Sequence, residues 1–280
     1  MEIKHAGRVF DLGDGDPEDA LVGETEKFRL YHCIQVDGDR EVLLQVATSL
    51  EHSPGLERAA LYLRMLAEQS QKLEAEFSEH IQDERTRRTF ACVWSIPELV
   101  DSFADDEQGG RRINVLSFCD VKKTRNLFPL DSYRSRGYRI DLRSTGWIVK
   151  KYLRMLSLAH AMGLCVGATD GSNILIEPDE HFLILYNWTE ARLFSEGGVP
   201  QEDASDEIKL GIRAIIEALG GDWEKGEVPF DEDPFYSDYV KHLLILARYG
   251  ASSSADAFAK FSALISPHWK GKHLFQVLPL

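Results

Sequence analysis

The chain has 280 residues, 44% of them hydrophobic and 28% charged, enough apolar content for one large or two modest cores. Its formal net charge of −14 argues against general binding to nucleic acid or to an anionic membrane, which requires a basic footprint; local basic pairs such as Arg111-Arg112 and Lys122-Lys123 remain. No signal pattern and no membrane-length apolar run is read. Cys33, Cys92, Cys119 and Cys165 lack Cys-x-x-Cys spacing, so free thiols in a reducing, cytoplasmic setting without a metal are expected.

In chain order, residues 11–19 form an acidic, turn-rich segment. Asp14, Asp16 and Glu18 alternate as in a calcium loop, but Asp19 replaces the required glycine and Thr25 the closing glutamate, which favours a solvated loop. Two strand-like runs, 28–36 and 41–47, flank the hairpin signal Asp37-Gly38-Asp39. Pro54-Gly55 opens a long helical pattern over 56–79, with Leu56, Ala59, Ala60, Leu63, Leu66 and Leu73 at helical spacing. Strands follow near 98–103 and 113–118 around the polar turn 105–110. Strands, one helix and more strands make a small antiparallel α+β unit.

From about residue 120 the pattern turns helical. Residues 144–162 carry an apolar face of Ile148, Tyr152, Met155, Leu156 and Ala159. Short strands at 174–176 and 182–186 precede helices at 206–219, 237–249 and 255–265. The tail 266–280 is aromatic and locally basic, with Trp269 and Phe275 among Lys270 and Lys272. Two roles stand open for it: packing back onto the helical part, or an interface arm for a protein partner.

The run from His160 to Ile176 carries the most information. His160, Asn173 and Ile174-Leu175-Ile176 stand at the spacing of a helix-ending His, a loop Asn and the apolar strand after it. The run resembles the catalytic loop of protein kinases and kinase-like phosphotransferases, whose pattern is H-R-D-x-x-x-x-N. The resemblance implies a two-lobed α+β fold, with an N-lobe of small antiparallel sheet and one helix over 1–118. It implies a mainly helical C-lobe over 119–265, followed by the tail 266–280.

The same resemblance implies a degenerate site. The H-R-D reads Val166-Gly167-Ala168, so the catalytic carboxylate is replaced by Ala168, which neither orients a hydroxyl nor takes its proton. Asp170 is a turn residue or a displaced substitute. In the phosphate-covering hairpin Gly23 matches the first glycine, but Thr25 and Phe28 replace the others, and Glu24 and Glu26 add negative charge. The strand lysine aligns with Gln45, whose helix partner is Glu57 or Glu68. The metal-binding aspartate aligns with Asn187, or with Tyr186 one residue earlier. Asn173 and Asn187 give a divalent cation oxygen but no charge. Asp206, in Ser205-Asp206-x-x-x-Leu210-Gly211, aligns with the aspartate that begins the central C-lobe helix and braces the catalytic loop. The short segment between Asn187 and Asp206 lacks an A-P-E. The expectation is a pseudokinase with no cofactor, weak or absent nucleotide binding and a protein partner. The rivals are a divergent phosphotransferase acting through Asp170 and a nucleotide-binding switch without chemistry.

Overall fold

The computed structural model describes residues 2–13, 15–80, 92, 95–118, 121, 124–179, 181–195, 198–230, 234–268 and 275–280. The protein is a mixed α+β chain that divides into two compact units. The first comprises Met1–Leu127 with Tyr186–Glu190, the second Phe128–Leu185 with Ala191–Leu280. The boundary falls at 127/128 rather than at 118/119, and residues 186–190 belong with the first unit.

Among the described residues the first unit is a seven-stranded antiparallel sheet and one long helix. Its strands are β1 (Glu2–His5), β2 (Arg8–Asp11), β3 (Leu21–Glu24), β4 (Phe28–Gln35), β5 (Arg40–Ala47), β6 (Glu98–Asp105) and β7 (Arg111–Ser117), and its helix is α1 (Ser53–His80). The order is β1-β2-β4-β5-β7-β6, with β3 also paired to β4. The N-terminal hairpin β1–β2 has no counterpart in the sequence reading; its turn places Ala6 and Gly7 at positive φ. Alternation along the strands separates two buried faces. One holds Phe10, Tyr31, Cys33, Val42, Leu44, Phe103, Ile113 and Val115. The other carries Asn114 toward α1, whose Leu56, Ala59, Ala60, Leu63 and Leu66 are buried at helical spacing. Each of those leucines contributes roughly 1.5–3 kcal/mol of burial. The α1 start is tied down by the Arg112 N–H, which donates to Ser53 Oγ at 3.0 Å.

The second unit begins with β8 (Phe128–Pro129), a short helix α2 (Ser132–Ser135) and β9 (Tyr138–Ile140). Helix α3 (Leu142–Ala161) follows, then β10 (Leu164–Cys165), β11 (Ile174–Glu177), β12 (Phe182–Leu185) and β13 (Arg192–Leu193). Helices α4 (Gln201–Ala218), α5 (Pro234–Tyr249) and α6 (Ser254–Ile265) lead to the C-terminal strand β14 (Val277–Pro279). Three small antiparallel sheets form: β12-β11-β8, β10-β13 and β14-β9. Asp141 caps α3, accepting from the N–H groups of Arg143 and Ser144 at 3.1 Å each. The expected apolar face of α3 is buried throughout, and Tyr152 lies fully inside. Gly211 on α4 makes room for that ring: a Cβ there would stand 2.1 Å from Tyr152 Cζ.

Candidate functional site

In the second unit the loop between β10 and β11 is held by its own polar groups. Asn173, 1% exposed, turns its side-chain amide onto the carbonyl of Ala168. Asp170 is exposed, and its Oδ1 accepts from the Ser172 N–H at 2.9 Å and from the Ser172 hydroxyl. This is an Asx-type turn. Its carboxylate and that of Asp131 repel; burial first, then Asp170, raise the pKa of Asp131.

The brace of this loop is Glu207, not Asp206. Helix α4 begins at Gln201, so Asp206 is neither its cap nor in its first turn; it is exposed and pairs with Lys209 at 2.5 Å. Glu207 is 3% exposed. Its Oε1 accepts from the Gly167 N–H, and its Oε2 lies 2.7 Å from His160 Nε2. The other ring nitrogen of His160 meets Ser254 Oγ at 3.0 Å. The Glu207 carbonyl accepts from the hydroxyls of Tyr152 and Thr169. One buried residue thereby joins α3, the loop and α4 and, through His160, α6. The signal for it lay in the stripe Ala204, Glu207, Ile208, Gly211, Ile212 and Ile215, where a glutamate sits at a core position.

In the first unit the turn between β3 and β4, which the resemblance sets against a phosphate-covering hairpin, is closed on itself. Thr25 Oγ1 accepts from the N–H groups of Lys27 at 3.2 Å and Phe28 at 3.1 Å, and the Thr25 N–H donates to the Phe28 carbonyl at 2.9 Å. These are the kind of donors a phosphate-gripping backbone leaves open. Phe28 is fully buried and meets Tyr186 edge-on, with ring centroids 6.1 Å apart. Lys27 pairs with Glu190. Asn187 Oδ1 accepts from the Thr189 N–H at 3.0 Å and the Thr189 hydroxyl at 2.7 Å, a local turn, and Trp188 is fully buried.

Gln45 is 1% exposed and bonded to a residue that sequence reasoning missed. Asn114 Nδ2 donates to Gln45 Oε1 at 3.2 Å and to the Leu56 carbonyl at 2.9 Å, while Asn114 Oδ1 accepts from Ser102 at 2.8 Å. The expected Gln45–Glu57 pair does not form, because Glu57 turns outward and pairs with Arg112 at 2.5 Å. Gln45 Nε2 is buried without a hydrogen-bond partner among the described residues. Asn114, a lone polar residue in the run Ile113-Asn114-Val115-Leu116, was the available signal.

Phe275 is half-buried against Tyr133 and Trp147, with ring centroids at 5.8 and 6.2 Å, and so is a packing residue rather than a free arm. Trp269, Lys270 and Lys272 lie outside the described residues, as do Asp14, Cys119, Lys122 and Lys123. Burial raises the thiol pKa of Cys33 and Cys165 to about 12. Among the described residues no group of three or more His, Cys, Asp or Glu side chains is placed to hold a metal ion, and no helix is long and apolar enough to cross a membrane.

The positions aligned with a Mg²⁺-nucleotide site do not fit that group. The amide oxygen of Asn187 is engaged in a local turn, Gln45 carries no charge, and the hairpin donors at 27 and 28 bind Thr25. No protein-family model matches the chain, and no curated protein matches it.

Proposed function

We propose that the protein is a catalytically inactive, kinase-like binding or regulatory module. The observation that carries this reading is the local use of each group aligned with the phosphate machinery. Thr25 takes up the hairpin N–H donors, Asn173 holds the Ala168 carbonyl, and Asn187 closes on Thr189. A charge-assisted contact is worth roughly 1.5–3 kcal/mol, so the loss of two or three lowers nucleotide affinity by orders of magnitude.

Thermal unfolding with 1 mM ATP, with and without Mg²⁺, tests this. A site with a dissociation constant near 10 μM would add about 2.7 kcal/mol at that concentration, a midpoint shift of roughly 5–10 °C. The expected shift is nil. A shift of that size that needs no Mg²⁺ and comes without phosphoryl transfer would identify a nucleotide switch. Radiolabel transfer abolished by Asp170→Asn would identify a divergent phosphotransferase.

A further inference from the structure

The second unit has a strand-docking place filled by the chain's own C-terminus. β14 pairs antiparallel with β9 in the register Val277↔Ile140, Leu278↔Arg139 and Pro279↔Tyr138. Main-chain groups extend the match: the Asp141 N–H donates to the Gln276 carbonyl at 3.1 Å, and the Leu280 N–H to the Gly137 carbonyl at 3.0 Å. The Gln276 N–H donates to Ser144 Oγ at 3.1 Å. One ring, Phe275, anchors the segment. Val277 and Leu280 stay outside, 38% and 59% exposed, and Leu278 is half-buried. Backbone bonds plus one anchoring ring are the sequence-tolerant mode by which extended peptides add to a sheet edge.

Among the described residues the resident tail leaves the Arg139 charge unmet. Gln276 and Leu278 line a cavity of about 540 Å³, together with Arg139, Arg143 and Tyr236. Leu278 is the Cα partner of Arg139, so the two side chains share one face of the ribbon. Arg139 is half-buried, and its guanidinium makes no hydrogen bond or ion pair among the described residues. The nearest carboxylate in the lining, Asp141, is turned to the start of α3. A leucine thus faces an arginine that has no ion pair among the described residues.

We propose that this edge is a receptor for an extended segment of another protein, with an aromatic residue where Phe275 sits and a carboxylate where Leu278 sits. The C-terminus is its weak resident competitor. The backbone of β9 supplies affinity, and Arg139 supplies the preference for acid. This inference does not depend on the kinase-like reading.

The test uses two labelled peptides, Phe-Gln-Val-Leu-Pro-Leu and Phe-Gln-Val-Glu-Pro-Leu, titrated by fluorescence polarisation into the full chain carrying Phe275→Ala, which removes the tail's anchoring ring and weakens its competition for the edge. The glutamate peptide is expected to bind about three- to fivefold more tightly, and Arg139→Gln to erase that difference. Absence of binding, equal affinities, or a preference that survives Arg139→Gln would overturn the proposal. Should Phe275→Ala not fold, Leu278→Glu in the otherwise native chain serves instead. Amide exchange at residues 138–140 is then expected to slow, and unchanged or faster exchange refutes the assignment.

Discussion

Lys151 illustrates how one side chain records its surroundings. Its ammonium lies 5.8 Å from the Trp147 ring centroid and 5.1 Å from that of Phe182, and it donates to the His181 carbonyl. Burial, followed by repulsion from Arg154, lowers its pKa to about 8. Below that pH the folded and unfolded states both hold the proton. Between about 8 and the ordinary value of 10.5 the unfolded chain binds a proton that the folded chain has released, so stability rises with pH across this window. Over the same range Cys33 and Cys165 act in the opposite sense, because their raised thiols keep protons that the unfolded chain loses, so Lys151 is read as a difference. In urea unfolding between pH 8 and 10 the native protein is expected to gain about 1 kcal/mol relative to Lys151→Met, less than the full shift because Lys151 is only partly buried; parallel pH profiles of the two proteins would refute the assignment. At this scale the sequence told which residues stand at the spaced positions, but not what they bond to. Asn173 stood at the expected place, yet its bond to the Ala168 carbonyl depends on the path of the turn. Gln45 stood in its strand, yet its partner came from β7 rather than α1, because the face of a helix cannot be set against a strand before they pack.

Helix α4 shows how a short shift in an element's start reassigns a role. A start at 206 makes Asp206 a terminal residue, whereas the observed start at Gln201 puts it on the solvent face. Successive helical residues turn by about 100°, so the next acid, Glu207, points into the core. Glu207→Ala is expected to cost about 3–5 kcal/mol, because it removes the partner of buried His160 and the acceptor of the Gly167 N–H. Asp206→Ala, which breaks only an exposed pair, should stay within about 0.5 kcal/mol. Denaturant midpoints of the two variants decide between these acids; equal losses would return the bracing role to Asp206. The elements themselves were largely legible. Periodicity gave α1 and α3 with their faces, α5 and α6 were read as helical runs, and strand-like runs around turn signals gave β4, β5, β6 and β7. The β1–β2 hairpin was not legible, because Ala6-Gly7 between short mixed strands carries little turn signal.

At the scale of the whole molecule, charge is the dominant general property. A formal charge of −14 produces self-repulsion in the compact state, which mobile ions screen over a Debye length of about 10 Å at 0.1 M salt. Raising sodium chloride from about 20 to 200 mM is expected to raise the thermal midpoint, by roughly 2 °C for a domain of this size. A fall would mean that exposed pairs such as Arg29–Glu24 and Arg40–Glu98 outweigh the repulsion. The division into a sheet-rich and a helix-rich unit was readable from the change of period near residue 120. The return of residues 186–190 to the first unit was not, since a chain read in order cannot show which of two cores recruits a short buried run.

The Glu207 carboxylate also bears on time. It bonds groups 47 and 40 positions away, and His160 extends the chain of contacts to Ser254 across 94 positions. Closing such loops costs entropy before any bond rewards it, so this clasp forms after the local hairpins and helices. Its removal in Glu207→Ala should therefore accelerate unfolding and leave refolding nearly unaltered. Stopped-flow folding and unfolding of Glu207→Ala checks this: the buried carboxylate is expected to set how long the native state persists rather than how fast it is reached, and a refolding rate that falls as much as unfolding speeds up would refute it.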